Sequence, residues 1–210
     1  MPGIASALLN VPQLSLGTTP ILKVSLGTVP VWPGFTPVTT EFTTAGAFSY
    51  TIPSGASGLD IIVLGSGACG KGMGFIDIWG PGGGGGQYSG VTLIRGTHFA
   101  AGLTSLSGVV GVGRASNGQG ASLAGNPSTV TVTGYGTITG AGGAAGASTG
   151  GTSGGGAYNF VWNGVTYVGG AQQNTIGAAG LAPGGGGASH TITFGTGGAG
   201  ANGKVWIRAF

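Results

Sequence analysis

The chain has 210 residues, of which 52 are glycine, with six basic and three acidic side chains for a formal net charge of +3. At 4% charged and 40% hydrophobic it has the opposite bias to a disordered chain, which combines high charge with low hydrophobicity. Lys23, Lys71, Arg95, Arg114, Lys204 and Arg208 form no run, which argues against a nucleic-acid partner, and the lone Cys69 excludes an internal disulfide.

From the N-terminus, Ile4–Leu9 is too short for a signal-peptide core and lacks a basic flank. No apolar run approaches the roughly 18 residues of a membrane span, so no membrane insertion is expected. A ten-residue repeat follows. Leu14–Lys23 and Val24–Pro33 align Leu16 with Leu26, Gly17 with Gly27, Thr18 with Thr28 and Pro20 with Pro30. Each unit reads as a short strand, a Leu-Gly-Thr turn and a second short strand. Two such units are marginal alone. Residues 1–40 are therefore expected to be a docking segment that completes its core on a neighbour, with Leu16, Leu26, Val31 and Trp32 as its contacts, and residues 41–210 a glycine-rich β domain.

After the proline-rich joint Trp32–Pro37, Phe48, Tyr50 and Ile52 alternate with small polar residues as in a strand with one buried face. Leu59–Leu64 reads as a fully buried strand. It runs into Gly65-Ser-Gly-Ala-Cys-Gly-Lys-Gly72, which matches both the G-x-G-x-x-G and the G-x-x-x-x-G-K spacings of phosphate-binding loops. In a chain one-quarter glycine, any triple of glycines at fixed spacing occurs about once in 66 positions, so roughly three such matches arise by chance. Gly72 stands where a P-loop needs Ser or Thr for the metal ion. The following Met73–Gly86 contains Pro81 and a run of glycines, which no helix survives. The expectation is a strand entering a glycine-packed layer, with no cofactor.

Further strands are expected at Val91–Arg95, Val109–Val112, Ser128–Thr133, Thr137–Thr139, Thr191–Phe194 and Lys204–Phe210. Asn159–Val168 reads as a hairpin, because Asn163-Gly164 is the preferred pair for a two-residue type I′ turn. Glycine tracts at 82–86, 140–156, 184–187 and 195–203 keep no three-residue frame, which excludes collagen. Extended polyglycine segments stacked side by side would satisfy their backbone groups by bonding to one another. The expected fold is all-β, with β-sandwich-like strands combined with stacked, polyglycine II-like segments and no significant helix.

Phe42-Thr-Thr-Ala-Gly-Ala-Phe-Ser-Tyr-Thr-Ile-Pro53, Asp60–Gly65 with its glycines, Gly90–Arg95 and Gly200–Phe210 resemble the glycine-rich domain of phage minor tail proteins. Lys23–Pro33 is similar to a leader in tail proteins of phages that infect mycobacteria and related actinobacteria. The resemblance covers nearly the whole chain, and its glycine tracts are its least specific part. One departure is Phe75-Ile-Asp-Ile-Trp79, where uninterrupted glycine is expected. The resemblance implies a structural virion protein at or near the tail tip, extracellular after host lysis and a homotrimer or higher homo-oligomer, rather than an enzyme.

The residues leave other readings open. A host-encoded glycine-rich cell-wall protein is the alternative, which the missing signal peptide disfavours. Asp60 and Asp77 are the candidates for an acid/base pair, weighed against two solvent-facing carboxylates, and there is no G-x-S-x-G nucleophile elbow. The expected mechanism is multivalent attachment. It would involve other phage tail proteins and a host-envelope glycan or lipid, with Trp79 and Tyr88 as candidate surface contacts and Trp162 and Tyr167 as packing residues of their hairpin.

Overall fold

The computed structural model describes residues 14–16, 19–21, 24–26, 29–32, 35–76, 80–146 and 151–210, the first four as backbone strands only. Among the described residues there is no helix, and all strand pairs are antiparallel.

The ten-residue repeat forms two small ribbons. Leu14–Leu16 (β1) pairs with Thr19–Ile21 (β2), and Val24–Leu26 (β3) pairs with Val29–Trp32 (β4). The second ribbon has a register shift between Val24 and Ser25. The Gly17-Thr18 and Gly27-Thr28 turns lie outside the described residues.

The body begins with a strand that the sequence hid behind the proline-rich joint, Val38–Phe42 (β5). Gly46–Thr51 (β6), Gly58–Leu64 (β7), Tyr88–Ile94 (β8), Ser105–Val110 (β9), Ser128–Val132 (β10), Gly136–Gly140 (β11) and the C-terminal Lys204–Ala209 (β14) follow. They make two four-stranded sheets, ordered β5-β14-β7-β8 and β11-β10-β9-β6. Leu59, Ile61, Val63, Val205 and Ile207 from the first sheet meet Tyr50, Leu106, Val110, Val130 and Ile138 from the second in one buried core. The expected alternation is clearest in β9, where Leu106, Gly108 and Val110 are buried and Ser105, Ser107 and Val109 face out. That strand begins and ends earlier than the Val109–Val112 expected from its valines.

All of β7 is buried because its opposite face is covered as well. A hairpin of Phe160–Trp162 (β12) and Val165–Tyr167 (β13) lies there, packing Tyr167, Phe160, Trp162 and Val165 around Ile62, Leu64 and Trp206. Its turn is built as expected, with Asn163 at φ 47° and Gly164 at φ 74°, the positive pair that a type I′ turn requires.

Beyond Leu64 the chain leaves the sheet and enters the glycine bundle. Its central segment is residues 65–73. The N–H groups of Ser66, Cys69 and Gly72 donate to the carbonyls of Asn126, Leu123 and Gly120. Those of Gly67, Gly70 and Met73 donate to Ala201, Gly198 and Gly195, and those of Ala68 and Lys71 to Gly84 and Pro81. Every third residue thus addresses the same antiparallel neighbour, the signature of an extended helix with three residues per turn. In the other direction, the carbonyls of Ser66, Gly67 and Ala68 accept from Gly143, Arg114 and Gly187. The segment therefore has hydrogen-bonded neighbours all round it, and the polyglycine II-like stack is a bundle rather than a sheet. Glycine is needed where backbones come this close: a Cβ on Gly67 would run into the Gly185 carbonyl, and one on Gly143 into that of Gly84.

The bundle gives the molecule two distinct ends. Val38 pairs with Ala209, and Ala209 with Leu59, so the chain enters the body at the end of the sheet away from the glycines. The glycine segments run from Leu64 to the opposite end, where they turn back. Thr191–Phe194 belongs there. It is a turn, not the strand expected from its β-branched pattern, because it links the antiparallel segments ending at His190 and starting at Gly195.

Candidate functional site

The phosphate-loop spacing can be judged by its amides. The N–H of every residue from Gly65 to Met73 donates to a backbone carbonyl of a neighbouring segment. None is left to converge on an anion, and after Gly72 the chain stays extended and turns at Phe75-Ile76 instead of starting a helix. The glycines at these spacings make room for neighbouring backbones.

Asp60 is almost fully buried on β7 rather than solvent-facing. Its Oδ1 accepts from Thr92 Oγ1 at 2.7 Å and from Asn163 Nδ2 at 2.8 Å, and its Oδ2 faces Arg208 Nη1 at 3.2 Å. Trp162 Nε1 donates to Thr92 Oγ1 at 3.0 Å. The carboxylate thus ties β7, β8, β14 and the hairpin turn together. Glu41 binds Lys204 Nζ at 2.8 Å and accepts from Trp206 Nε1 at 3.1 Å. Asp77, the other half of the candidate acid/base pair, lies outside the described residues.

Tyr88 is half-buried at the start of β8. Its ring stacks on Phe160 at 5.0 Å and on Trp206 at 6.1 Å, and its hydroxyl donates to the Tyr158 carbonyl at 3.0 Å. Burial pushes its pKa up to about 12. Trp162 and Tyr167 belong to the same packing, with Tyr167 buried against Trp206. Trp79 lies outside the described residues. Leu16, Leu26, Val31 and Trp32 sit on β1, β3 and β4, and their side chains are likewise outside what is described.

Four strongly exposed bulky apolar side chains, including the three most exposed among the described residues, lie at the far end of the bundle. Ile76 is 93% exposed, Phe75 77%, Ile192 67% and Phe194 59%. The turns that carry them are held side by side: Met73 N–H donates to the Gly195 carbonyl, and the Phe75 and Phe194 rings stack at 5.9 Å. The His190 Nδ1 accepts the Ile192 N–H at 3.2 Å and fixes the second turn. Phe194 holds φ at 67°, a left-handed conformation that bulky residues rarely adopt. The sequence flagged Phe75–Trp79 as an interruption of the glycines but had Ile192 and Phe194 in a strand. Nothing local marks those two as neighbours of Phe75.

A profile of the glycine-rich domain family matches residues 43–210, which span the hairpin, the bundle and both sheets except the edge strand β5. The Gene 32 protein of Mycobacterium phage L5 is 42% identical to this chain over 188 residues, covering 83% of the chain and 84% of that protein. The Gene 32 protein of Mycobacterium phage D29 is 44% identical over 182 residues, covering 82% of each.

Proposed function

Because the chain belongs to the glycine-rich domain family and is a phage glycine-rich protein, we propose that it is a structural component of the virion, a minor tail protein at or near the tail tip that contributes to host attachment. The observation that carries this reading is the two-ended body. The chain enters at Val38, at one end of the sheets, while the exposed apolar turns lie at the other end of the bundle. A protein that joins a particle to a cell surface needs that separation of anchor from contact.

The leader is the anchor in this reading. Two-stranded ribbons such as β1-β2 and β3-β4 are marginal alone, so they associate with other tail proteins and with copies of themselves, as a homotrimer or higher oligomer. Leu16, Leu26, Val31 and Trp32 supply the contacts. Several copies on one tail multiply weak envelope contacts through effective concentration. The host-encoded cell-wall alternative is disfavoured by relatives that are phage proteins.

The test is direct. Peptide mass spectrometry of purified virions and antibody labelling of intact particles are expected to find the chain at the tail tip. A chain present in infected-cell lysate but missing from purified virions would sink the reading.

A further inference from the structure

We infer that the far end of the glycine bundle is a lipid-contact tip, in which Phe75, Ile76, Ile192 and Phe194 enter the acyl region of a target surface. This deepens the attachment reading above and rests on it for its biological setting, although the binding itself is a property of the isolated chain.

Three observations carry it. The first is shape. Ile76 at 93% exposure and Phe75 at 77% project from the turn instead of lining a cavity. A folded partner would need a matching hollow, whereas an acyl layer accommodates any convex apolar group.

The second is area and chemistry. The four side chains expose roughly 500 Å² of apolar surface, short of the ~800 Å² per partner of a standard protein interface and within the ~300–600 Å² of the largest apolar patch on an ordinary monomer, which is often a functional one. The described residues of the turns, 73–76, 115–119, 175–177 and 191–195, contain no charged side chain. Ser116, Asn117, Thr191 and Thr193 supply polar groups there. Among these described residues the contact is apolar, not electrostatic; Asp77, next in sequence to Ile76, lies outside them.

The third is backbone conformation. Phe194 occupies a left-handed position at φ 67° while its ring is 59% exposed, and Gly195, which would take that conformation freely, is the next residue. A bulky side chain kept in a conformation of this kind persists where its placement matters more than the local strain. Here burial within the chain gives no return for it. Among the described residues no helix is long and apolar enough to cross a membrane, and none is needed. Four side chains on two neighbouring turns reach only the outer part of an acyl layer.

The experiment is flotation of the purified full chain with zwitterionic phosphatidylcholine vesicles, at low and at high salt. The wild-type chain is expected to float with the vesicles and to do so equally at 0.1 and about 1 M salt, because screening weakens only charge contacts. Phe75→Ser with Ile76→Ser is expected to reduce the floated fraction at least about tenfold, with an unchanged melting temperature because both side chains are exposed. Phe194→Gly separates function from folding. It relieves the left-handed backbone, so its melting temperature is expected to hold or rise while flotation falls. A wild-type chain that stays out of the vesicle layer overturns the inference, as does flotation unaffected by these substitutions. A concentration-dependent doubling of mass that these substitutions abolish, without flotation, assigns the tip to a second copy instead. The virion mass spectrometry is independent of all these outcomes, so failure of lipid binding and failure of the tail reading are distinguishable.

Discussion

Asp60 is flanked by Leu59 and Ile61, and its partners are distant in sequence. Arg208 lies 148 residues away and Asn163 lies 103 residues away. That separation is why the carboxylate reads from sequence as an acid/base candidate or a surface charge, and why only the folded chain reveals it as a tie between three strands and a turn. Removing it takes the acceptor from the Thr92 hydroxyl and the charge partner from Arg208, while Asn163 Nδ2 keeps only Thr92 Oγ1, at 2.9 Å. The Arg208 side chain is about a quarter exposed and partly rehydrates, which keeps the loss below that of a fully enclosed pair. Asp60→Ala is expected to lower stability by about 2–4 kcal/mol, read by chemical denaturation. Tyr167 provides the contrast. Its hydroxyl is buried without a hydrogen-bond partner, and desolvation raises its pKa. Tyr167→Phe removes a polar atom that makes no bond, so stability is expected to change by less than about 0.5 kcal/mol or to increase.

The strands and the glycine segments differ in how far their sequences reveal them. The β12-β13 hairpin is legible because Asn163-Gly164 dictates a turn and the flanking residues have no better use. The β7 strand is legible from the apolar run Ile61–Leu64 that follows Asp60. The β5 strand is missed because Val38-Thr-Thr-Glu-Phe42 follows prolines and carries little apolar pattern of its own; it forms because β14 offers it an open edge. The stacking of the glycine tracts is foreseeable from the backbone groups they must satisfy, but their arrangement is not. Glycine has no side chain to show a face, and the three-residue rhythm of residues 65–73 exists only in the direction of their hydrogen bonds. Substitutions test that arrangement in graded fashion. A Cβ at Gly143 meets the Gly84 carbonyl, and one at Gly185 meets the Leu181 carbonyl, both well inside contact distance. At Gly155 the nearest atom is Gly85 N at 3.0 Å, and at Gly102 nothing lies within 4 Å. Gly143→Val and Gly185→Val are expected to cost about 3 kcal/mol or more, Gly155→Val about 1–2, and Gly102→Val less than about 0.5. Equal melting temperatures across the series would refute the close-packed bundle.

At the scale of the whole molecule, the two hydrophobic clusters among the described residues, from Phe35 to Ala209, draw on both sheets and the hairpin. The body is therefore expected to fold without the leader. A chain lacking residues 1–33 is expected to melt cooperatively near the full-length temperature by calorimetry, to sediment as a monomer where the proposed oligomer of the intact chain would sediment at higher mass, and to be absent from virions assembled with it. Normal incorporation of the shortened chain would remove the docking role. The out-and-back course of the glycine segments has one more consequence, a mechanical one. A pull between Val38 and the far tip runs along the strands and segments, because β5 is bonded to β14 along its length and the bundle continues in the same direction. The cross-links between neighbours are then loaded together in shear, not peeled apart one by one. Such a body is expected to resist stretching, as the proposed link between a cell surface and a particle would require.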